Sequence, residues 1–272
     1  MRSLIVAVML CLLCLSVGGA NALSISNAEL AGLSFQVTND PLNDRAGGAV
    51  FEVYGVGGAV ANGFLYAVVR TNFPEAGVFG NDSYTGSTHF SPGDLYLNVG
   101  GTFQGGGGNP YGIATTSHGN VVTQAYATWG SPVSQGRLYN PSGGGPFFAD
   151  GTFENYQNTT PTFNPDDGDG NNGLNSYPTL IRFGSQVGGD VSGVRYQAVG
   201  AQPWDFEIYY KVSLASLGID QTGGNVQLFW AMECGNDGGQ HFTKVPAIPE
   251  PTTVALIAAG VTAFAAHKRR NT

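Results

Sequence analysis

Apolar residues recur at every second position in three stretches of the chain. From Trp204 to Val212, Trp204, Phe206, Ile208, Tyr210 and Val212 fall on one side, and Asp205, Glu207, Tyr209 and Lys211 on the other. Val226, Leu228, Trp230 and Met232 alternate with Gln227, Phe229 and Glu233, and Leu95, Leu97 and Val99 alternate with Asp94, Tyr96 and Asn98. A period of two marks a half-buried β-strand. Phe64 to Val69 is apolar on both sides, which predicts a central strand. Further candidate strands are Ser34 to Val37, Val50 to Tyr54, Tyr111 to Thr115, Val121 to Thr128, Thr179 to Phe183 and Val194 to Val199. Between the two longest alternating stretches, Ser213 is placed to cap a single helical turn, LASLG, and Gly223-Gly224 to bend the chain back.

These short strands, punctuated by glycine and with almost no helical period, predict an all-β fold: one domain, an antiparallel two-sheet sandwich of jelly-roll-like kind. The polar segments Gly100 to Pro110, Asn140 to Gly145 and Thr159 to Tyr177 then read as loops at the sandwich ends. The glycine run GVGGAVANG, Gly55 to Gly63, reads as a turn or bulge leading into the Phe64 strand. It is not a dinucleotide fingerprint, because Val60 stands where the third glycine would be.

The two ends have a different character. Met1 to Ala22 has one arginine, an apolar core from Leu4 to Val17, and small residues ending Ala20-Asn21-Ala22. That is the pattern of a secretory signal peptide with an A-x-A cleavage site, so the mature chain is expected to start near Leu23. Cys11 follows Leu10 and Cys14 follows Leu13, so neither has the small preceding residue that lipoprotein processing needs. At the other end, Pro246 to Thr272 holds the triplet Pro249, Glu250, Pro251, an apolar run from Val254 to Ala266, and the cations Lys268, Arg269 and Arg270. The prolines lack backbone donors and predict an extended strap. The apolar run predicts a short hydrophobic helix of about 15 residues against the ~20 that span a bilayer, with the basic cluster on the cytoplasmic side.

Pro-Glu-Pro, a short apolar helix and a basic end together resemble the PEP-CTERM sorting signal. The resemblance implies export, transient insertion in the inner membrane, and recognition and cutting near Glu250 by an exosortase. Ile248 before the triplet, and Asn271 and Thr272 after the arginines, depart slightly from the usual pattern. The domains expected are therefore 1–22 as signal peptide, 23–245 as a β-sandwich surface domain, and 246–272 as sorting signal. A second resemblance lies in GDLYLNVGG (Gly93 to Gly101), YGIATTSHG (Tyr111 to Gly119), QGRLYN (Gln135 to Asn140), YYKVSLASLG (Tyr209 to Gly218) and AMECGND (Ala231 to Asp237). In that order they look like exosortase-dependent surface proteins whose core ends in Cys-Gly-Asn-Asp. They are distantly similar to sandwich modules of the family 9 carbohydrate-binding and DOMON-like kind. The resemblance implies a fold more than an activity.

Composition narrows the function further. Between Leu23 and Val245 stand 18 acidic and 7 basic residues, a net charge of −11, so no basic patch is available for nucleic acid. Cys234 is the one cysteine left between the ends, which rules out an intrachain disulfide framework there. Its position after Trp230 and Met232 predicts a buried small hydrophobe, the alternative being a thiol exposed by Gly235-Asn236-Asp237.

No G-x-S-x-G, H-E-x-x-H or phosphate-loop motif occurs. Asp205, Glu207 and Glu233 fall on the outer sides of two strands that would be neighbours if they pair. Two carboxyls about 5 to 9 Å apart suit glycoside hydrolysis; a solvated sheet face is the simpler reading. His89, His118 and His241 lack a second ligand at metal spacing and read as polar loop residues. In NPDDGDGNNG, Asp167, Asp169 and Asn171 alternate like the first ligands of a calcium loop, although Asn172 replaces the expected glycine and Pro178 the bidentate glutamate. Calcium is the one cofactor the sequence suggests, with an unliganded acidic loop as the alternative. Tyr96, Tyr139, Tyr209 and Phe229 are the candidates for an outward-facing sugar-stacking platform, against the alternative that they cover a sheet face.

The expected protein is thus an exported, non-enzymatic surface or matrix protein whose partners are the export machinery and an exosortase. A carbohydrate-binding module for exopolysaccharide is the second reading, and a glycan hydrolase the third.

Overall fold

Most of the alternating segments fold as strands where the pattern places them, while the expected strand Val121 to Thr128 lies outside the described residues. In the computed structural model, the described residues are 22–42, 48–79, 89–103, 107–118, 133–140, 153–154, 180–181, 185–219, 222–233 and 237–247. In chain order the strands begin with β1 (Gln36–Asn39), β2 (Val53–Ala61), β3 (Phe64–Thr71), β4 (Val78–Phe79) and β5 (His89–Phe90). They continue with β6 (Leu95–Val99), β7 (Asn109–Ile113), β8 (Leu138–Asn140), β9 (Phe153–Glu154) and β10 (Leu180–Ile181). The last five are β11 (Ser185–Gln186), β12 (Ser192–Ala198), β13 (Phe206–Ser213), β14 (Gly224–Ala231) and β15 (Gly238–Val245). One short helix, α1 (Asn27–Ala31), precedes β1.

Two antiparallel sheets make the sandwich. The five-stranded sheet runs β1-β2-β3-β13-β12 and the six-stranded sheet runs β11-β8-β7-β6-β14-β15. Their inner faces meet in one core, with Leu65, Ala67, Val69, Ile208, Tyr210 and Val212 on one side and Leu95, Leu97, Ile113, Val226, Leu228 and Trp230 on the other. Each fully buried large side chain of this set is worth about 1.5–3 kcal/mol. Phe64 to Val69 is indeed central, lying between β2 and β13.

The outer face of the six-stranded sheet is covered too. Tyr96, Tyr139 and Phe229 form a second apolar cluster with Phe103, Val133 and Ile181, and Tyr96 and Phe229 are fully buried. Gln227, in the same outward row, accepts from the Phe103 N–H and donates to Gln240.

Several local expectations need correcting. The glycine run Gly55 to Gly63 does open on a bulge, where the register shifts between Val53 and Gly55, and ends in a turn, but most of it is β2 itself. The turn is only Asn62-Gly63, both with positive φ (52° and 78°), a two-residue hairpin of the kind Asn-Gly favours. The glycines allow close approach: a Cβ on Gly58 would lie 1.9 Å from Thr243 Oγ1 on β15. Here the two sheets pinch together, and Thr38 Oγ1 and His241 Nδ1 are hydrogen-bonded at 2.9 Å. Ser213 does not cap the turn after β13, which is a 3-10 turn at Ala215–Leu217 preceded by Leu214 with no side-chain cap. Val50 lies in another 3-10 turn, Ala49–Phe51, and the strand starts only at Val53.

The amino-terminal segment crosses the outer face of the five-stranded sheet. Leu23 N–H donates to Ser192 O at 2.7 Å, Arg195 Nη1 donates to Ile25 O at 3.2 Å, and Ile25 is buried. α1 opens with a capping box in which Ser26 Oγ accepts from Glu29 N–H and Glu29 Oε2 accepts from Ser26 N–H. Among the described residues no helix is long and apolar enough to cross a membrane.

Candidate functional site

Antiparallel register puts Glu207 of β13 opposite Arg70 of β3, and Tyr209 opposite Val68, all on the outer side of the five-stranded sheet. Arg70 Nε donates to Glu207 Oε1 at 3.3 Å, and Tyr209 OH donates to Glu207 Oε2. Burial, then the hydrogen bond to Glu207, pushes the Tyr209 hydroxyl well above its ordinary value. The Arg70 guanidinium lies 4.5 Å from the Trp204 ring centre, and Tyr54 stands 5.9 Å from the same ring. Phe35 packs 5.9 Å from Tyr209. Asn72 braces this end, accepting from Asp205 N–H and donating to Tyr54 OH. The result is a strip of half-buried rings beside a charged, hydrogen-bonding pair.

Further along the same face, Lys211 Nζ donates to Glu29 Oε1 at 2.5 Å, and Tyr66 OH reaches that oxygen at 3.4 Å. The Lys211 hydrogen bond, aided by Ser26, lowers the Glu29 carboxyl to about 2. Glu29, Tyr66, Ala28, Leu33 and Asn62 line an open cleft there.

A second polar group sits inside the molecule. Asp94 is fully buried; its Oδ1 accepts from Thr115 N–H at 2.9 Å, and its Oδ2 from Ile181 N–H at 2.8 Å and His118 Nε2 at 2.9 Å. Beside it, Thr115 Oγ1 and Trp230 Nε1 both donate to Gly93 O. Glu233 accepts from Ser91 N–H at 2.7 Å, and burial raises its carboxyl above the usual value. Asp237 accepts from Val53 N–H and Gly238 N–H. Each of these carboxylates binds a backbone N–H of another strand or loop, so each acts as a tie between segments.

The predicted sites fare unevenly. Tyr96, Tyr139 and Phe229 cannot offer faces to a ligand, because the chain at Phe103, Val133 and Ile181 packs over them. Tyr209 alone of the four remains half-exposed. Asp205, Glu207 and Glu233 do not converge: β13 and β14 do not pair but lie in different sheets. The three histidines are not loop residues without fixed partners: His89 is on β5, His241 is on β15, and His118 bridges to Val133 while holding Asp94. Trp204 does not extend the inner row of β13, which begins at Phe206; it stacks on Arg70 instead. Asp167, Asp169, Asn171, Cys234, Ala20, Pro249, Glu250, Pro251, Lys268, Arg269 and Arg270 lie outside the described residues.

Sequence reading missed Arg70 and Asp94. The first was legible in principle, since it shares a side with Tyr66 and Val68 in an otherwise apolar strand. The second was not, because its donors come from residues 21 and 87 positions away. Among the described residues no three His, Cys, Asp or Glu side chains group to hold a metal. No family model, no curated protein and no solved structure matches the chain.

Proposed function

We propose that this is an exported, non-enzymatic surface or matrix protein, delivered by an exosortase that recognises Pro249-Glu250-Pro251 and the apolar, basic segment after it. One observation carries the reading. Among the described residues, Leu23 makes a backbone tie to the sandwich and the strand β15 ends at Val245, which agrees with the limits that the two terminal signals predict for the mature domain. The buried carboxylates also support a scaffold, since Asp94 accepts from the Thr115 and Ile181 N–H groups and from His118, and Glu233 from Ser91 N–H. Intact-mass measurement of the protein from its native host tests the proposal. The expected species starts at Leu23 and ends near Glu250; a mature species retaining Met1 or Lys268 to Arg270 would overturn it.

A second reading, binding of exopolysaccharide, is favoured by the strip of Trp204, Tyr54, Tyr209 and Phe35 beside Arg70 and Glu207. Aromatic faces take sugar rings and a charged pair takes hydroxyls. A glycan array probed with the Leu23 to Val245 segment, in wild-type form and as Trp204→Ala, checks it. Binding lost with Trp204 supports the reading, and an array without binding rejects it.

A further inference from the structure

The outermost group at the Trp204 end of the aromatic strip is a guanidinium, not a ring. Arg70 stacks on Trp204 at 4.5 Å from the ring centre, and the indole Nε1 is buried. The Arg70 side chain is 28% exposed against 15% for its partner Glu207, so the cation of this pair is the member that meets solvent. A guanidinium carries five N–H donors. Among the described residues Arg70 commits only Nε, to Glu207 Oε1 at 3.3 Å. Its two terminal nitrogens remain as a planar fork backed by the indole. Arg195 stands opposite Tyr209 on β12 and gives Nη1 to Ile25 O. The charges that act on the Tyr209 hydroxyl are thus one carboxylate, Glu207, and two guanidinium groups, Arg70 and Arg195. That local excess of positive charge runs against a net charge of −11 between Leu23 and Val245.

From this we propose that Arg70, with Arg195 beside it, sets the specificity of the strip, and that the ligand is a carboxylate-bearing polysaccharide, a chain of uronic acid residues. The proposal rests on the strip being a glycan site. A carboxylate matches the guanidinium fork with two parallel N–H···O bonds. Tyr209 and Phe35, with ring centres 5.9 Å apart, offer aromatic surface for the apolar face of a sugar. An acidic peptide fits less well, because β3 and β13 are interior strands bonded on both edges and offer no free backbone to an added strand. The acidic remainder of the domain does not forbid a polyanion. At physiological ionic strength exposed charges are screened beyond about 8 Å, whereas a half-buried pair in contact is screened much less.

The test titrates the full chain, held in a non-ionic detergent, by calorimetry. The probes are two polyuronates, polygalacturonate and alginate, the same polymers with their carboxyl groups reduced to alcohols, and polyglutamate. At least one polyuronate is expected to bind, and its reduced form and polyglutamate are not. Arg70→Lys keeps the charge but loses the fork, and should weaken binding at least about tenfold. Glu207→Gln removes the competing carboxylate while keeping an acceptor for Tyr209 OH, and should tighten binding, a gain that a folding defect does not imitate. Equal binding of the native and reduced polymers would overturn carboxylate recognition and leave glycan binding at the strip standing. No binding of any polysaccharide would remove both. Polyglutamate binding as well as the polyuronates would overturn the glycan as occupant. Unchanged affinity in Arg70→Lys, or weaker binding in Glu207→Gln with near-ultraviolet circular dichroism retained, would overturn the role of Arg70.

Discussion

The ammonium of Lys211 lies 2.5 Å from Glu29 Oε1, 182 residues away in the chain, and 4.5 Å from the centre of the Phe64 ring. A cation on an aromatic face, closed off by a carboxylate, pins α1 to the sheet.

This pair sets one arm of the pH profile. Glu29 falls from 4.5 to about 2 on folding, so its contribution to stability is complete above about 4.5 and is lost as pH falls towards about 2. Replacing it by Gln should flatten the melting temperature over that window. The Glu29 side chain is 33% exposed, so the effect should shrink in high salt.

Glu233 has the opposite sign. Burial raises its folded value, so the folded state holds the proton more tightly than the unfolded chain. The favourable contribution is present below the usual carboxyl value and is lost as pH rises through the folded one. Glu233→Gln keeps an acceptor for Ser91 N–H and should raise the melting temperature relative to wild type near neutral pH. No gain at neutral pH would contradict the assignment.

Asp94 ties three segments, so truncating it should be severe. Asp94→Ala leaves the Thr115 and Ile181 N–H groups buried without their acceptor and should cost about 3–5 kcal/mol in denaturant unfolding. Asp94→Asn keeps one acceptor oxygen and should cost less. A loss below about 1 kcal/mol for the alanine variant would mean that the region around Ile181 is not held as described.

Thr243 Oγ1 sits over Gly58 and is a buried hydroxyl with no hydrogen bond. Gly58→Ala should cost about 1–3 kcal/mol by overpacking. Thr243→Ala should be nearly neutral, and adding it to Gly58→Ala should recover most of the loss, a coupling that a double-mutant cycle measures.

The acidic segment offers a ligand test. If Asp167, Asp169 and Asn171 hold calcium, the ion should stabilise the fold by about 2.7 kcal/mol at a hundredfold excess over Kd, seen as a rise of several degrees in melting temperature. Weak extracellular sites bind near 10⁻⁴ to 10⁻³ M, roughly, so the titration must pass through millimolar calcium. Asp167→Ala and Asp169→Ala should abolish the rise, and an unchanged melting temperature across the titration rejects the site.

Inward rows were legible because period two is a local property: Leu95 and Leu97, Ile208 to Val212 and Val226 to Trp230 face the core as their spacing requires. Outward rows were not. Whether Tyr96 and Phe229 meet water depends on Phe103 and Ile181 crossing above them, a contact between distant segments that no local pattern records. The glycine run was only partly legible for a related reason: its bulge and its turn are there, but its middle is strand. Glycine signals a turn when read alone, but in β2 it answers a neighbour, Thr243, 185 positions on. The Asn62-Gly63 pair was the correct hairpin signal and lay inside the same run.

The pinch between β2 and β15 also bears on where mutations would be felt. A Cβ on Gly58 would meet Thr243 of β15 and a Cβ on Gly239 would meet Val56 of β2, each closer than 3.0 Å. A saturation scan should find these positions among the least forgiving of the described residues. Tracing distant kin by reactive side chains would pass over this seam; a search profile weighted on Gly58 together with Gly239 would not.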